Sequence, residues 1–114
     1  MRYTNISPID RDIAIKAFNS GCSEEIADAL VSLAFYDPDP NWVEERCIKF
    51  LRQENKSLQI LAITCLGHIA RIHHKLNLRK ILPVIDALKK DAEIIAAMED
   101  LSDDIEIYIP KRSK

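Results

Sequence analysis

Residues 61–74 read LAITCLGHIARIHH, and the thirteen positions from Leu58 to Ala70 carry no formal charge before Arg71 and two histidines follow. Leu58, Leu61, Ala62, Cys65, Leu66 and Ile69 fall on one face of a helix, and Ile60, Ile63 and Ala70 on a second. A helix apolar on two faces is buried on two sides, so this one is expected at the centre of the fold. Gly67 lowers helix propensity by about 1 kcal/mol against Ala, which points to close packing by a neighbour. Arg71, His73, His74 and Lys75 suit a helix end reaching solvent, where cationic side chains complement the dipole. The run is too short for a bilayer, which needs roughly 20 residues.

Working outward, the same grammar repeats. Ser7-Pro8 precedes IDRDIAIKAFNS, with Asp10 and Asp12 early and Gly21 past the end. Ser23 is read as the cap of EEIADALVSLAFY, whose Ile26, Ala27, Leu30, Leu33 and Ala34 form one stripe. DPDP at 37–40 stops that helix. Asn41 is read as opening the third helix with Glu44 in a capping box, and Val43, Cys47, Phe50 and Leu51 inside. Asn55 or Ser57 opens the central helix. Asn77 caps LRKILPVIDALKKD, with Leu78, Ile81, Leu82, Ile85 and Leu88 inward and a kink expected at Pro83. A sixth helix starts near Glu93, with Ile94, Met98, Leu101 and Ile105 inward. The tail to Lys114 is read as a frayed helix or an extended segment.

The totals agree with this reading. The chain has 114 residues, enough for one domain, with 47% apolar and 30% charged residues but only 2 Gly and 5 Pro. A net charge of −2 disfavours general nucleic-acid affinity, which needs a clustered basic face. Cys22, Cys47 and Cys65 show no metal or redox spacing and are read as small buried hydrophobes in a reducing cytosol. The N-terminus has no signal-peptide core, so the location expected is cytoplasmic.

No catalytic constellation survives inspection. His73 and His74 point about 100° apart on a helix and cannot chelate one ion together, and His68 lies at a poor spacing from His73. Cys65 and His68 share a face but lack an orienting group and an oxyanion donor. No Gly-rich phosphate loop, GxSxG or HExxH occurs. The expectation is therefore no enzyme, no cofactor, no metal and no membrane.

Charge supplies the candidate surface. Residues 91–109 hold Asp91, Glu93, Glu99, Asp100, Asp103, Asp104 and Glu106 and no Lys or Arg. Glu99, Asp103 and Glu106 lie opposite the apolar stripe, flanked by Asp100 and Asp104. The block is either the solvated outer face of a terminal helix or a patch that attracts a basic partner. DPDPNW at 37–42 is a second candidate. Asp37 and Asp39 are loop-borne, and Trp42 is either an interface anchor or, the reading favoured here, a core residue.

Two overlays expose a period. IADALVSLA (26–34) matches LAITCLGHI (61–69) at a shift of 35, and NKSLQILAITCLGHI (55–69) matches DAEIIAAMEDLSDDI (91–105) at a shift of 36, in apolar pattern rather than identity. LRKILPVIDALKKDAEIIAAMEDL (78–101) resembles a HEAT-like repeat, with Pro83 inside its first helix and Asp91 in its turn. WVEERCIKFLRQENKSLQILAITCLGHIA (42–70) resembles the same unit without the proline. The fold expected is all-α, about six helices in three antiparallel pairs forming a HEAT-like α-solenoid.

DPDPNWVEERCIKFL, ITCLGHIARIHHKLNL and LSDDIEIYI together resemble the small HEAT-like immunity proteins encoded beside bacterial toxins of the contact-dependent inhibition or related polymorphic type. The resemblance covers about residues 35–109. It implies a cytosolic protein that binds and neutralises one cognate toxin domain, often a nuclease, without catalysis. The partner-binding residues expected are Asp37, Asp39, Trp42, Glu99, Asp100, Asp103, Asp104 and Glu106, facing a basic toxin. The rival reading is a general HEAT-like adaptor for a cellular protein; a further one, nucleic-acid binding through Arg71, His73, His74, Lys75, Arg79 and Lys80, is disfavoured by neighbouring acids.

Overall fold

Four of the six described helices begin at a short polar side chain that caps them. Asp10 accepts the Asp12 N–H at 2.9 Å, Asn55 accepts that of Leu58 at 3.1 Å, and Asp91 accepts that of Ile94 at 3.0 Å. The computed structural model describes residues 8–88 and 90–109. Among them it has six helices and no strand: α1 (Arg11–Phe18), α2 (Ser23–Tyr36), α3 (Pro40–Leu51), α4 (Lys56–His73), α5 (Leu78–Asp86) and α6 (Ala92–Tyr108). None is long and apolar enough to cross a membrane. Ser7 and the tail beyond Ile109 lie outside the described residues.

The third helix starts two residues earlier than the capping-box reading places it. Asp39, not Asn41, is the cap, accepting the N–H groups of Asn41 and Trp42 at 3.1 and 3.4 Å, and Pro40 takes the first helical position. Proline fits there because its missing N–H would have no partner in any case. The shift carries Glu44 beyond reach of the cap. Its carboxylate turns inward instead and accepts the backbone N–H of Asn77 at 3.3 Å, tying α3 to the start of α5. Burial pushes that carboxyl above its usual range, and the Asn77 N–H pulls it back down. Ser23 is likewise the first helical residue rather than the cap, and Cys22 caps without a side-chain bond. At Asn77 the side chain makes no cap bond.

α4 is the centre. It packs against α2, α3 and α6, while α1 packs on α2, α2 on α3 and α3 on α5. Ten of its residues are buried, including Leu61, Ile63, Cys65, Leu66 and Ile69, so both sequence-read faces are covered. Fully burying one Leu or Ile contributes about 1.5–3 kcal/mol. The buried run ends at Ala70, and Arg71 and Ile72 are exposed, so the helix surfaces where its polar end begins. His74 terminates it in the left-handed region (φ 56°), donating its N–H to Ala70.

Contacts between elements show the sequence period in space. Arg71–Asp104, His74–Tyr108, Glu44–Asn77 and Glu45–Lys80 join residues 33 to 35 apart. Lys56 at the start of α4 pairs with Asp91 and Glu93 at the start of α6, and His74 at its end meets Tyr108, so α4 and α6 run parallel. Phe35 near the end of α2 stacks on His68 of α4 at 4.7 Å, extending the row to α2. These separations are those that stacked helix pairs of about 35 residues produce.

α5 departs from its reading. It ends at Asp86 rather than running on to Asp91, and Leu82 is 42% exposed instead of facing inward. Only Ile81 and Ile85 are buried, because α3 covers only a narrow stripe of α5.

Candidate partner-binding surface

α6 is the last helix among the described residues, and its inner stripe docks on α4 through Ile94 and Leu101, with Met98 and Ile105 half-buried. Its outer side carries Glu99, Asp100, Asp103 and Glu106, all exposed, and none of them forms an ion pair among the described residues. The rest of the acidic block is compensated from α4. Lys56 holds Asp91 at 3.3 Å and Glu93 at 2.5 Å, and Arg71 holds Asp104, whose side chain is 16% exposed, at 3.3 Å.

Gly67 makes room on α4 for an acidic side chain of α6. A methyl at its Cα would lie 2.7 Å from the Asp104 carboxylate, so the absence of a side chain gives that acid its seat. Beside it opens a cleft of about 260 Å³, lined in part by Gly67, Arg71, Asp100, Asp103 and Asp104. The acids and the glycine are separately visible in the sequence. Their juxtaposition with Arg71 is not, because it depends on the parallel register of the two helices.

The second group sits elsewhere, at the corner between α2 and α3. Asp37 has a side chain only 6% exposed. It accepts Arg11 Nε and Nη2 at 2.8 Å each and the Asp39 N–H at 2.9 Å, fastening α1 to the corner. Trp42 is half-buried, with the guanidinium carbons of Arg11 and Arg46 at 4.3 and 5.1 Å from its ring. Asp39 remains half-exposed beside it. The structure does not bring this group into contact with the α6 carboxylates.

The Arg11 guanidinium holds the Asp37 carboxyl below its usual range, against the opposing effect of burial. A lowered folded-state pKa stabilises the fold above about pH 4 and loses that contribution as pH falls through the folded value. Asp37→Asn is therefore expected to flatten the acid limb of the melting-temperature profile and to speed amide exchange in α1 at neutral pH. Hydrogen exchange measured at pH 7 and pH 3 on both forms checks this.

The remaining polar candidates are dispersed. His68 lies under Phe35, with burial lowering its pKa, and His74 Nδ1 meets the Tyr108 carbonyl at 3.0 Å. No cluster of three or more potential ligands occurs among the described residues. Cys47 and Cys65 are buried, which pushes both thiols up, whereas Cys22 is exposed, contrary to its reading as a core residue. It stands at the cap of α2, outside the apolar stripe. An aromatic disulfide reagent is expected to titrate one thiol per native chain and three after denaturation; more than one fast native thiol would contradict the packing around α4.

The six helices thus leave Glu99, Asp100, Asp103 and Glu106 exposed on the outer side of α6. No protein-family model matches the sequence, and no curated protein matches it. Among solved structures, the chain is similar to one in the crystal structure of a CDI complex from Cupriavidus taiwanensis LMG 19424. The TM-score is 0.79 and the identity 33%, over 95% of this chain and 97% of that one. At that identity and coverage the chain belongs to the same family, the immunity proteins of contact-dependent inhibition (CDI). The similarity extends over the first helices, which the sequence resemblance at 35–109 leaves out.

Proposed function

We propose that this protein protects its cell by binding a cognate toxin domain and neutralising it, with α6 as the main contact. The observation that carries the reading is the set of exposed carboxylates Glu99, Asp100, Asp103 and Glu106 with no cation partner among the described residues. Asp104 joins them at the edge of the Gly67 cleft. Like charges on adjoining turns destabilise a helix by a few tenths of a kcal/mol each, so the block is retained at a stability cost. The partner that matches it is basic, and a toxin that cuts nucleic acid presents such cations to phosphate. Asp39 and Trp42 form a smaller second contact, and Asp37 supports it by holding Arg11. The family supports the reading, since its solved relative is part of a CDI complex.

The test is co-expression with the toxin domain encoded beside this gene, followed by titration of the purified proteins. A tight complex whose affinity falls with added salt, together with survival of toxin-expressing cells, is expected. A toxin that neither binds nor loses toxicity overturns the proposal.

A further inference from the structure

Three large apolar side chains stay exposed at the ends of the stacked helices: Tyr36 (50%) closes α2, Ile72 (40%) lies in the last turn of α4, and Ile107 (70%) lies in the last turn of α6. Single exposed apolar residues are ordinary. These three are not independent, because they occupy equivalent places in the repeat. The ends of α2 and α4 meet through Phe35 on His68, and those of α4 and α6 through Arg71 with Asp104 and His74 with Tyr108. From these end contacts and their equivalent places in the repeat, the three residues are placed in one row across the helix ends. With neighbouring helices about 8–10 Å apart, the row spans about 20 Å.

We infer that this row is the apolar centre of the toxin-binding surface, resting on the function proposed above. Two continuities name the occupant. At one end, Asp100, Asp103 and Ile107 share a single stripe of α6, four and seven residues before the isoleucine. At the other, Tyr36 adjoins Asp37 and the Arg11–Asp39–Trp42 corner. The row thus joins the two acidic groups that the sequence leaves separate, giving an apolar strip with a carboxylate rim. Such a strip fits a basic protein surface with an apolar patch at its middle. Carboxylates at the rim govern the rate of encounter, and the desolvated centre governs how long the complex lasts.

Kinetics with the purified toxin domain separate these roles. Tyr36→Ser, Ile72→Ser and Ile107→Ser are each expected to raise the dissociation rate about tenfold and to leave the association rate within about twofold. Ile13→Ser, at a residue 58% exposed on α1 and outside the row, is the control and should change neither. Melting temperatures near that of the unaltered protein show that the variants fold. A wild-type complex whose dissociation rate is unmoved by all three row substitutions overturns the inference and leaves the proposed function standing. Equal effects from Ile13→Ser overturn it too, since apolarity anywhere would then suffice. No complex with the unaltered protein removes the proposed function, and the row with it.

Discussion

Asp100→Lys combined with Asp103→Lys is expected to slow association with the toxin domain about 100-fold at low salt. The pair changes the charge of one exposed stripe by four units, on the helix side that faces solvent. Long-range attraction acts before the surfaces touch, so the loss appears in the association rate. It should shrink as added salt shortens the screening length from about 10 Å at 0.1 M to about 3 Å at 1 M. Folding should survive, because neither side chain pairs with a cation among the described residues and the reversal relieves repulsion along α6. Stopped-flow association at two salt concentrations measures the effect, and a toxicity rescue assay reads its consequence. Association at the unaltered rate in low salt would remove α6 from the interface.

Leu66→Ala is expected to destabilise the fold by about 3 kcal/mol and to lower the melting temperature by about 10–15 °C. Leu66 is fully buried in the helix that α2, α3 and α6 all contact, so no single neighbour can move in to fill the space. Against a total stability of about 5–15 kcal/mol for a small domain, this is a large fraction. The same truncation at Leu82 on α5 deletes a comparable side chain that solvent already reaches, and it should cost no more than about 0.5 kcal/mol. Urea and thermal unfolding of the two variants compare them directly. Equal losses at both positions would mean that α4 does not organise the core.

Much of the architecture was legible because it is local. The run from Leu58 to Ala70 names the central helix by its two apolar faces, and Gly67 in its midst announces the close approach of α6. The overlays at 35 and 36 residues lie near, and mostly above, the separations of 33 to 35 at which side chains meet across helices. Boundaries were less legible. Pro40 obeys a rule that reads directly, yet Asn41 offers an equally good cap, and only the backbone chooses Asp39. Leu82 matches its stripe by spacing, but spacing does not say how wide a stripe the neighbour covers.

The candidate surface divides the same way. Its acidity is a property of the chain, visible as seven carboxylates over 91–109 without a cation. Which of them remain available is a property of the fold: Lys56 takes Asp91 and Glu93, and Arg71 takes Asp104.

By itself the sequence determined the helices, their period, the buried centre and the sign of the exposed charge, because periodicity, capping and composition act over a few residues. Only the tertiary structure decided which acids are paired, how Gly67 seats Asp104, and that Tyr36, Ile72 and Ile107 stay exposed. Those outcomes depend on the register between helices some 35 residues apart, which is set by how side chains interlock across the whole core and by no short stretch of chain.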